Sequence, residues 1–374
     1  MIYFDNAATT KPTCEALEIF KNESANNYFN SSAQYSLSFN LYKDIEEIKK
    51  DISRLLCGNG KIVFTSGATE ANNLAIFGST FYKNKKYLFS SGEHPSVYNC
   101  AMELKNKGYN VDFISLKKNG EIDYDELKHK MDSNVCFVSA MLVNNETGAI
   151  NDIKKIREIV DEKNKDCVLH TDCVQGLGKI KIDLDSWGVN LCSISAHKIN
   201  GIKGIGALYI SSNTKIKNIV FGGGQEYGLR SGTTNYPAIK SFYYSIKTAI
   251  QKQLLDFEKV LTLKNNLIDK LQSCNFNNLI IVSNDKCSPY ITSLLFKGIK
   301  GETIMRYLSA CEILISTGSA CSSNKVGNRI LENMGFAKND TAGSIRISFS
   351  GQNTIEEIDI FVEKLKTFID NYLK

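Results

Sequence analysis

Strand-like and helix-like stretches alternate between residues 61 and 210, and this alternation limits the fold more than any other feature of the chain. Apolar runs of strand length at 61–67 and 86–91 are each followed by a helix-like stretch, at 68–83 and 95–108. Parallel strands need long crossover connections, and a helix is the usual one. The pattern therefore predicts an α/β fold with a mainly parallel sheet that helices cover on both faces.

The alternation of predicted strands and helices continues through residues 61–210. The predicted strands are 61–67, 86–91, 109–116, 135–143, 167–175, 190–196 and 204–210. The predicted helices are 68–83, 95–108, 123–131 and 153–164.

The pattern of predicted elements changes after about residue 250, where long helical stretches are the main feature. A helix is predicted at 251–274 and another at 354–374, with strands at 288–296 and 344–350 between them. A chain of 374 residues exceeds the usual size of one hydrophobic core. We therefore expect a large domain over 15–250 and a smaller α+β domain built from 1–14 together with 251–374.

The last predicted helix has a clear amphipathic pattern and a start signal. Thr354 and Glu357 have the spacing of a capping box, in which each residue satisfies a backbone N–H group of the other. One apolar face is expected to pack on the core, with the residues Ile355, Ile358, Val362, Leu365 and Phe368.

Composition excludes several classes of protein. The net charge of +5 is small, and no dense Lys/Arg block with interleaved aromatic residues occurs, so direct nucleic-acid binding is not expected. No apolar run approaches the roughly 20 residues that span a bilayer, and the first residues do not resemble a signal peptide. We expect a soluble cytoplasmic protein. Its 11 cysteines, an odd number without a Cys-x-x-Cys pair, then indicate free thiols rather than disulfides or a zinc site.

Polar clusters stand at the carboxyl ends of three predicted strands, which is where open α/β sheets bind ligands. The turn TSGATE, 65–70, begins a helix and can present backbone N–H groups to an anion such as a phosphate. Asp172 follows a second strand, and Ser195, His197 and Lys198 follow a third. Taken alone, a lysine is usually a solvated charge and Asp172 would more often be a helix cap or a surface acid. The turn alone is as compatible with a plain helix start as with a phosphate cup.

Pyridoxal phosphate is the cofactor that uses all of these groups together. It needs a lysine for its Schiff base, an acid for its pyridine nitrogen, a phosphate cup and often a ring that stacks on it. Lys198, Asp172, the turn at Gly67–Thr69 and His94 supply these four groups. A metal site at His170, Asp172 and His197 is the alternative, but it leaves Lys198 and the glycine turn without a role. The glycine patterns of Rossmann and Walker phosphate sites are absent.

Seven motifs then occur in one order over nearly the whole chain. They are FTSGATEANNLAI, VNNETGAI, HTDCVQ, SAHKINGIKGIGALY, GGGQEYGLRSGT, STGSACSS and SIRIS. Together with the opening YFDNAATT, they resemble the NifS/IscS-type cysteine desulfurases within the class V aminotransferase group. The resemblance implies the fold type I of pyridoxal phosphate-dependent transferases, with a homodimer and L-cysteine as substrate.

The resemblance also implies a role for each matching residue. Lys198 would form the Schiff base, and Asp172 would pair with the pyridinium nitrogen. The other expected cofactor contacts are Gln175 at the phenolic oxygen, His94 on the ring, and Ala68, Thr69, Ser195 and His197 around the phosphate. His94 is also expected to be catalytic, by helping in proton transfer. Thr233 would reach the phosphate of the neighbouring subunit. Asn145 would lie near the substrate, and Arg346 would bind the substrate carboxylate with its planar fork of donors.

Cys321 is the residue that distinguishes a desulfurase from an aminotransferase. It lies among small polar residues in STGSACSSNKVGN, and a plain aminotransferase needs no thiol there. In a desulfurase, a thiolate attacks the substrate sulfur and carries it as a persulfide to an acceptor protein, for iron–sulfur cluster assembly or tRNA thiolation. A selenocysteine lyase and a class V aminotransferase are the alternative enzymes. A sulfur carrier that has lost its cofactor is the non-catalytic alternative. The other ten cysteines are expected to be inert.

The chain departs from the family pattern in three places. At 30–35 it lacks the proline and histidine common in the family, so no role is assigned there. Gln352 or a neighbour stands where an arginine is common, and the stretch from Cys321 to Gly335 is slightly shorter than in IscS-type members.

Overall fold

The computed structural model describes residues 1–318 and 327–372 of the chain. Its strands are β1 (Ile2–Tyr3), β2 (Lys61–Thr65), β3 (Lys86–Ser90), β4 (Asn110–Ile114), β5 (Val135–Ser139), β6 (Val168–Asp172), β7 (Leu191–Ser195), β8 (Gly206–Ile210), β9 (Leu279–Ile281), β10 (Ile291–Phe296), β11 (Ile313–Leu314) and β12 (Ser344–Ser348). Its helices are α1 (Cys14–Asn26), α2 (Ser36–Leu55), α3 (Ala68–Gly78), α4 (Pro95–Asn106), α5 (Tyr124–Lys130), α6 (Ile153–Asp161), α7 (Tyr236–Ser273), α8 (Gly301–Ala310), α9 (Arg329–Asn333), α10 (Lys338–Thr341) and α11 (Ile355–Tyr372).

A seven-stranded sheet forms the centre of the molecule, with the strand order β2-β8-β7-β6-β5-β3-β4. Strand β8 runs antiparallel to both of its neighbours, and the other pairs in this sheet are parallel. The strands are buried almost throughout, because helices cover both faces of the sheet. The α/β class and the mainly parallel sheet predicted from the sequence are confirmed.

A second core surrounds the three-stranded antiparallel sheet β12-β10-β9. Phe4 lies at its centre, with its ring 5.1 Å from the ring of Phe349 and 5.8 Å from that of Phe361. The amino terminus joins this unit because β1 pairs in parallel with β11. The predicted division of the chain at residues 14 and 250 stays a prediction, since α7 runs without a break through Ile250. That residue packs against the first core, whereas Phe257 packs against the second.

Several element boundaries differ from those predicted. Helix α3 ends at Gly78 rather than near residue 83, because Ser79 closes it with a side-chain bond to the carbonyl of Ala75 at 2.6 Å. Helix α7 begins 15 residues earlier than predicted, where Asn235 caps it and Pro237 lies in its first turn.

The start of the last helix is confirmed. Glu357 accepts from the N–H of Thr354 at 3.1 Å, and Thr354 accepts from the N–H of Glu357 at 3.4 Å, as in a capping box. Ile358, Val362 and Leu365 are buried as expected. Ile355 is 40% exposed, so the expectation that it lies on the packed face was wrong: the first turn projects beyond the core. No helix in the described part of the chain is long and apolar enough to cross a membrane.

Candidate active site

A cavity of about 640 Å³ opens at the carboxyl ends of the parallel strands, with the amino-terminal segment along one wall. It collects residues from almost every motif of the sequence. Ten of the residues named from the sequence line it: Ala68, Thr69, His94, Asn145, Asp172, Gln175, Ser195, His197, Lys198 and Arg346. Residues that are distant in sequence therefore meet at one place.

The beginning of helix α3 forms an anion-binding corner of this cavity. Gly67 is the cap residue, and it has no side chain to accept the free N–H groups of the first turn. Ala68 and Thr69 follow it, and Ser195 and His197 line the same cavity. Unpaired N–H groups and the positive end of a helix dipole favour a phosphate.

Gly206 allows this corner to form. It pairs with Thr65 across the sheet, and a Cβ atom at position 206 would lie 2.7 Å from the carbonyl carbon of Gly67 and 2.7 Å from the carbonyl oxygen of Ile194. Only glycine lets the backbone of β8 pass so close to the turn.

Asp172 is the last residue of β6, and the residue is 4% exposed. Its Oδ2 accepts from Asn72 Nδ2 at 2.8 Å, and its Oδ1 accepts from the N–H of Val174 at 3.0 Å. Asn72 also donates to Ser96 at 2.9 Å. The carboxylate is thus fixed in one position beneath the cavity.

Lys198 ends the short 3₁₀ turn Ala196–Lys198, which follows β7 directly. Its Nζ donates to the carbonyl oxygens of Ala7 and Ala8, the latter at 2.6 Å. The neighbouring His197 lies 3.3 Å from Thr9, measured from Nδ1 to Oγ1. Burial and the positive charge of Lys198 lower the pKa of His197 to about 4, so this imidazole is neutral at physiological pH.

His94 caps helix α4. Its Nδ1 accepts from the N–H of Ser96 at 3.2 Å and lies 2.8 Å from the Ser96 hydroxyl. Burial is the main reason that its pKa is lowered, and the positive charges of Lys198 and Arg329 add to the effect, while Asp172 opposes it. The ring is therefore held as a neutral imidazole at the edge of the cavity.

Gln175 extends from the turn after β6 and is buried. Its Nε2 donates to the carbonyl of Ala7 at 2.8 Å, and its Oε1 accepts from Lys179 Nζ at 3.0 Å. Burial, together with the charges of Lys198 and Arg346, lowers the pKa of Lys179 to about 7.

Arg346 projects from β12 into the cavity. Its Nη1 donates to the carbonyl of Asn145 at 2.8 Å, and its Nη2 donates to Asp5 Oδ1 at 2.8 Å. Its Nε is buried and has no hydrogen-bond partner. This N–H is enclosed by protein, so a ligand in the cavity would be bound through the second hydrogens of Nη1 and Nη2.

The comparisons with known proteins agree over the full length. The profile of the aminotransferase class-V family matches residues 2–361. The cysteine desulfurase IscS 1 of Archaeoglobus fulgidus is 35% identical over 378 residues, which cover 99% of this chain and 97% of that relative. The chain belongs to the NifS/IscS-type cysteine desulfurases.

Solved structures of the family superimpose closely. A NifS-like protein has a TM-score of 0.91 at 31% identity, covering 99% of both chains. SspA in complex with cysteine has a TM-score of 0.79 at 28% identity, covering 95% of this chain and 100% of SspA. The fold is therefore that of the fold type I pyridoxal phosphate enzymes, as the sequence predicted.

As a member of this family, the protein is a pyridoxal phosphate-dependent enzyme. The site fits this cofactor on its own evidence. An uncapped helix terminus faces the cavity, the carboxylate of Asp172 lines it, and Lys198 lines it from the turn after β7. Among residues 1–318 and 327–372, no group of three or more His, Cys, Asp or Glu side chains is arranged to hold a metal ion.

Thr233 and Cys321 are the two predicted site residues that remain. Thr233 is exposed on the surface and does not line it. Cys321 lies outside the described residues. The chain after it is attached to the site wall: Asn328 donates to Glu146 at 2.5 Å, and Arg329 donates to the carbonyls of Ser91 and Glu93.

The structure adds site residues that the sequence reasoning missed. Asp5 accepts a hydrogen bond from Arg346, and Asn72 donates one to Asp172. Lys179 donates one to Gln175. The polar opening FDNAATT was the available signal for Asp5, and the others lie within or next to the quoted motifs. Lys179 follows HTDCVQ by four residues, which is one helical turn from Gln175.

Proposed function

We propose that this enzyme converts L-cysteine to L-alanine and transfers the sulfur, as a persulfide on Cys321, to an acceptor protein. The observation that carries the proposal is the cavity itself, which unites Lys198, Asp172, the start of α3 and Arg346 in one space. The name of the relative from Archaeoglobus fulgidus and the cysteine bound to SspA support L-cysteine as the substrate.

The residues that would hold the cofactor follow from their hydrogen-bonding capacity. Asp172 would accept a hydrogen bond from the protonated ring nitrogen, and Gln175 would donate a hydrogen bond to a ring oxygen. The N–H groups of Ala68 and Thr69, with Ser195 and the neutral His197, would bind the phosphate. The chemistry that bound pyridoxal phosphate supplies is an electron sink next to the amino acid's α-carbon.

Arg346 would bind the substrate carboxylate. Nη1 and Nη2 each carry a second hydrogen for an acceptor, and Nη2 is already held in place by Asp5. A guanidinium that is oriented before the substrate arrives loses less entropy on binding. Asn145 would add an amide contact from the same wall, since its backbone carbonyl already receives Nη1 of Arg346.

Lys198 would take the α-proton of the substrate. The two carbonyl groups of Ala7 and Ala8 hold its Nζ at the cavity wall. The neutral imidazole of His94 is held by its contact with Ser96. It would lie against the cofactor ring and keep water from that face.

The sulfur step balances without an external oxidant. The thiolate of Cys321 attacks the sulfur of cysteine, an S–S bond forms, and the bond from Cβ to sulfur breaks. Its electron pair remains on the amino acid, and protonation at Cβ gives alanine. Cysteine and one enzyme thiol thus become alanine and one enzyme persulfide.

We further propose that the enzyme is a cytoplasmic homodimer with shared sites, in which Thr233 of each subunit serves the other subunit's phosphate. The exposed position of Thr233, away from the cavity of its own chain, supports this arrangement. The acceptor would be a scaffold for iron–sulfur cluster assembly or an enzyme of tRNA thiolation.

The first test measures alanine and sulfide formed from L-cysteine by the purified, cofactor-loaded protein with a reductant. Equal amounts of alanine and sulfide are expected. Cys321→Ser should lower the rate by more than about a hundredfold, as for loss of a nucleophile. Cys14→Ser is the matched control, because Cys14 is an exposed thiol at the start of α1, and it should leave the rate unchanged.

The alternatives give different results in the same assay. A protein that binds the cofactor but forms no alanine from cysteine would be an aminotransferase or a selenocysteine lyase, which other substrates would identify. A protein that stays colourless with added cofactor would be a carrier. For the enzyme, the visible colour of the loaded protein should disappear in Lys198→Ala.

A further inference from the structure

Lys179 is a buried charge that the proposed reaction does not use. Its residue is 8% exposed, and its Nζ donates to Gln175 Oε1 at 3.0 Å and lies 5.5 Å from the centre of the Tyr290 ring. In the described part of the chain no carboxylate lies within ion-pair distance of it. Burial of an ammonium group without a counter-ion is expensive, so a structural or functional reason is needed.

The backbone leaves this side chain little freedom. The turn after β6 is closed by bonds from the N–H groups of Gly176 to Cys173 at 2.9 Å and of Lys179 to Gly176 at 3.0 Å. Gly178 has φ +68°, and a Cβ atom there would lie 2.5 Å from the Cβ of Ala249 in α7. The turn is therefore packed tightly on α7, and this packing fixes the backbone position from which the side chain of Lys179 extends.

A second cavity, of about 190 Å³, gives the ammonium group room for water. Lys179, Lys198 and Tyr290 are among its lining residues. Water in a cavity of this size could accept the donors that Gln175 does not use. Lys179 therefore lies between Gln175 and this second cavity.

An ammonium group can only donate hydrogen bonds, so it determines which end of a neighbouring amide faces it. Lys179 selects the orientation in which Oε1 of Gln175 points towards it. Nε2 then points towards the carbonyl of Ala7, which also receives Lys198 Nζ, and its second hydrogen can be donated to a ligand in the main cavity. With the amide reversed, two donors would face each other.

We propose that Lys179 is a positioning residue that holds the amide of Gln175 with its donor towards the bound cofactor. This inference deepens the proposed function, because it rests on Gln175 contacting pyridoxal phosphate. It concerns binding and the electronic state of the cofactor rather than the sulfur step, so it can be tested without any substrate.

The test is a double-variant cycle in Lys179→Met and Gln175→Ala, with two readouts: the dissociation constant of pyridoxal phosphate and the position of the visible band of the loaded protein. Lys179→Met keeps the length of the side chain but removes its donors. The buffer is kept near pH 6, below the pKa of about 7 of Lys179. Each single variant should weaken cofactor binding roughly tenfold and shift the band, as for loss of a hydrogen bond to a charged group.

The double variant should bind the cofactor no more weakly than Gln175→Ala alone, because Lys179 acts through that amide. Lys264→Met is the matched control. Lys264 is also buried, and it donates to the carbonyls of Asn284 at 3.0 Å and Cys287 at 3.3 Å in the second core. It should lower stability without moving the band.

Two results would overturn the proposal. One is a double variant whose loss equals the product of the two single losses, and the other is a Lys179→Met protein with an unchanged band and dissociation constant. If Lys179→Met does not fold, Lys179→Leu gives the same comparison, because it also lacks a donor and has a shorter side chain. A protein that binds the cofactor but makes no alanine would refute the proposed function and leave this test valid.

Discussion

At the scale of the residue, the buried carboxyl group of Glu93 is the clearest case of a side chain shaped by its surroundings. It is fully buried next to His94, and its Oε1 accepts from Ser139 at 3.1 Å, while its Oε2 has no partner. Ser139 also lies 2.9 Å from His170. Burial, reinforced by the negative charge of Asp172, raises the pKa of Glu93 to about 8.

The raised pKa of Glu93 predicts a stability that falls as the pH rises. Below pH 4.5 the group is protonated in both the folded and the unfolded chain. Between 4.5 and about 8 the unfolded chain loses this proton and the folded chain keeps it, so the folded state becomes relatively less stable. Glu93→Gln has no such proton, and it should be more stable than the wild type by roughly 3 kcal/mol near pH 8.

The measurement is the midpoint of urea unfolding for both proteins at about pH 5 and about pH 8. The advantage of the variant should be small at the lower pH and large at the higher one. Equal midpoints at the higher pH would mean that the carboxyl group ionises in the folded protein without cost.

Single residues also show how far the sequence could predict the site. Lys198 and Asp172 were found because each follows an apolar strand, and all parallel strands end at the same edge of the sheet. Asp5 could not be found in this way, because its contact with Arg346 joins residues 341 positions apart in the chain. Such a partner depends on the packing of two units rather than on any local pattern.

At the scale of the element, the contact between β8 and the turn before α3 decides whether the phosphate corner can form. Gly206→Ala would place a methyl group 2.7 Å from the backbone of Gly67 and Ile194. Strand β7 cannot move without breaking the sheet, so the turn at Gly67 must shift, and we expect a loss of about 1–3 kcal/mol of stability. The shifted turn should also weaken cofactor binding.

Titration of the cofactor and urea unfolding check this prediction together. Gly108→Ala is the control, because Gly108 has φ +81° but open space around it, at the end of α4. It should cost roughly 1 kcal/mol of stability through its backbone conformation and leave cofactor affinity unchanged. Equal affinity in Gly206→Ala would show that the turn is not held by β8.

The elements themselves were predictable to different degrees. The strands of the central sheet were found because a run buried on both faces is apolar throughout. The first half of α7 was missed, although Asn235 and Pro237 are a typical helix start, because its buried serines interrupt the apolar pattern. Those serines bond to carbonyls instead: Ser241 donates to Ala16 at 2.8 Å, and Ser245 to Ser241 at 3.0 Å.

At the scale of the whole molecule, several large aromatic side chains are exposed. They include Tyr28, Tyr35, Phe39, Tyr42 and Phe221, with exposed fractions of 74%, 49%, 55%, 51% and 80%. The chain near Thr233 lies close to part of this set, since Tyr42 and Thr234 line one surface pocket. Exposed aromatic side chains near Thr233 fit a surface that another chain covers.

The proposed exchange of Thr233 between subunits predicts that two inactive variants restore each other. Thr233→Ala and Lys198→Ala should each lose activity as pure dimers. In a mixed dimer, the subunit with the intact Lys198 receives the intact Thr233 of its partner, so one complete site forms, and the other site lacks both groups. Co-expression with two different affinity tags isolates the mixed dimer, which should regain about half of the wild-type rate of alanine formation, because one of two symmetric sites is whole. If Thr233 instead served its own subunit, neither site would contain both residues, and the mixed dimer would be no more active than Thr233→Ala alone.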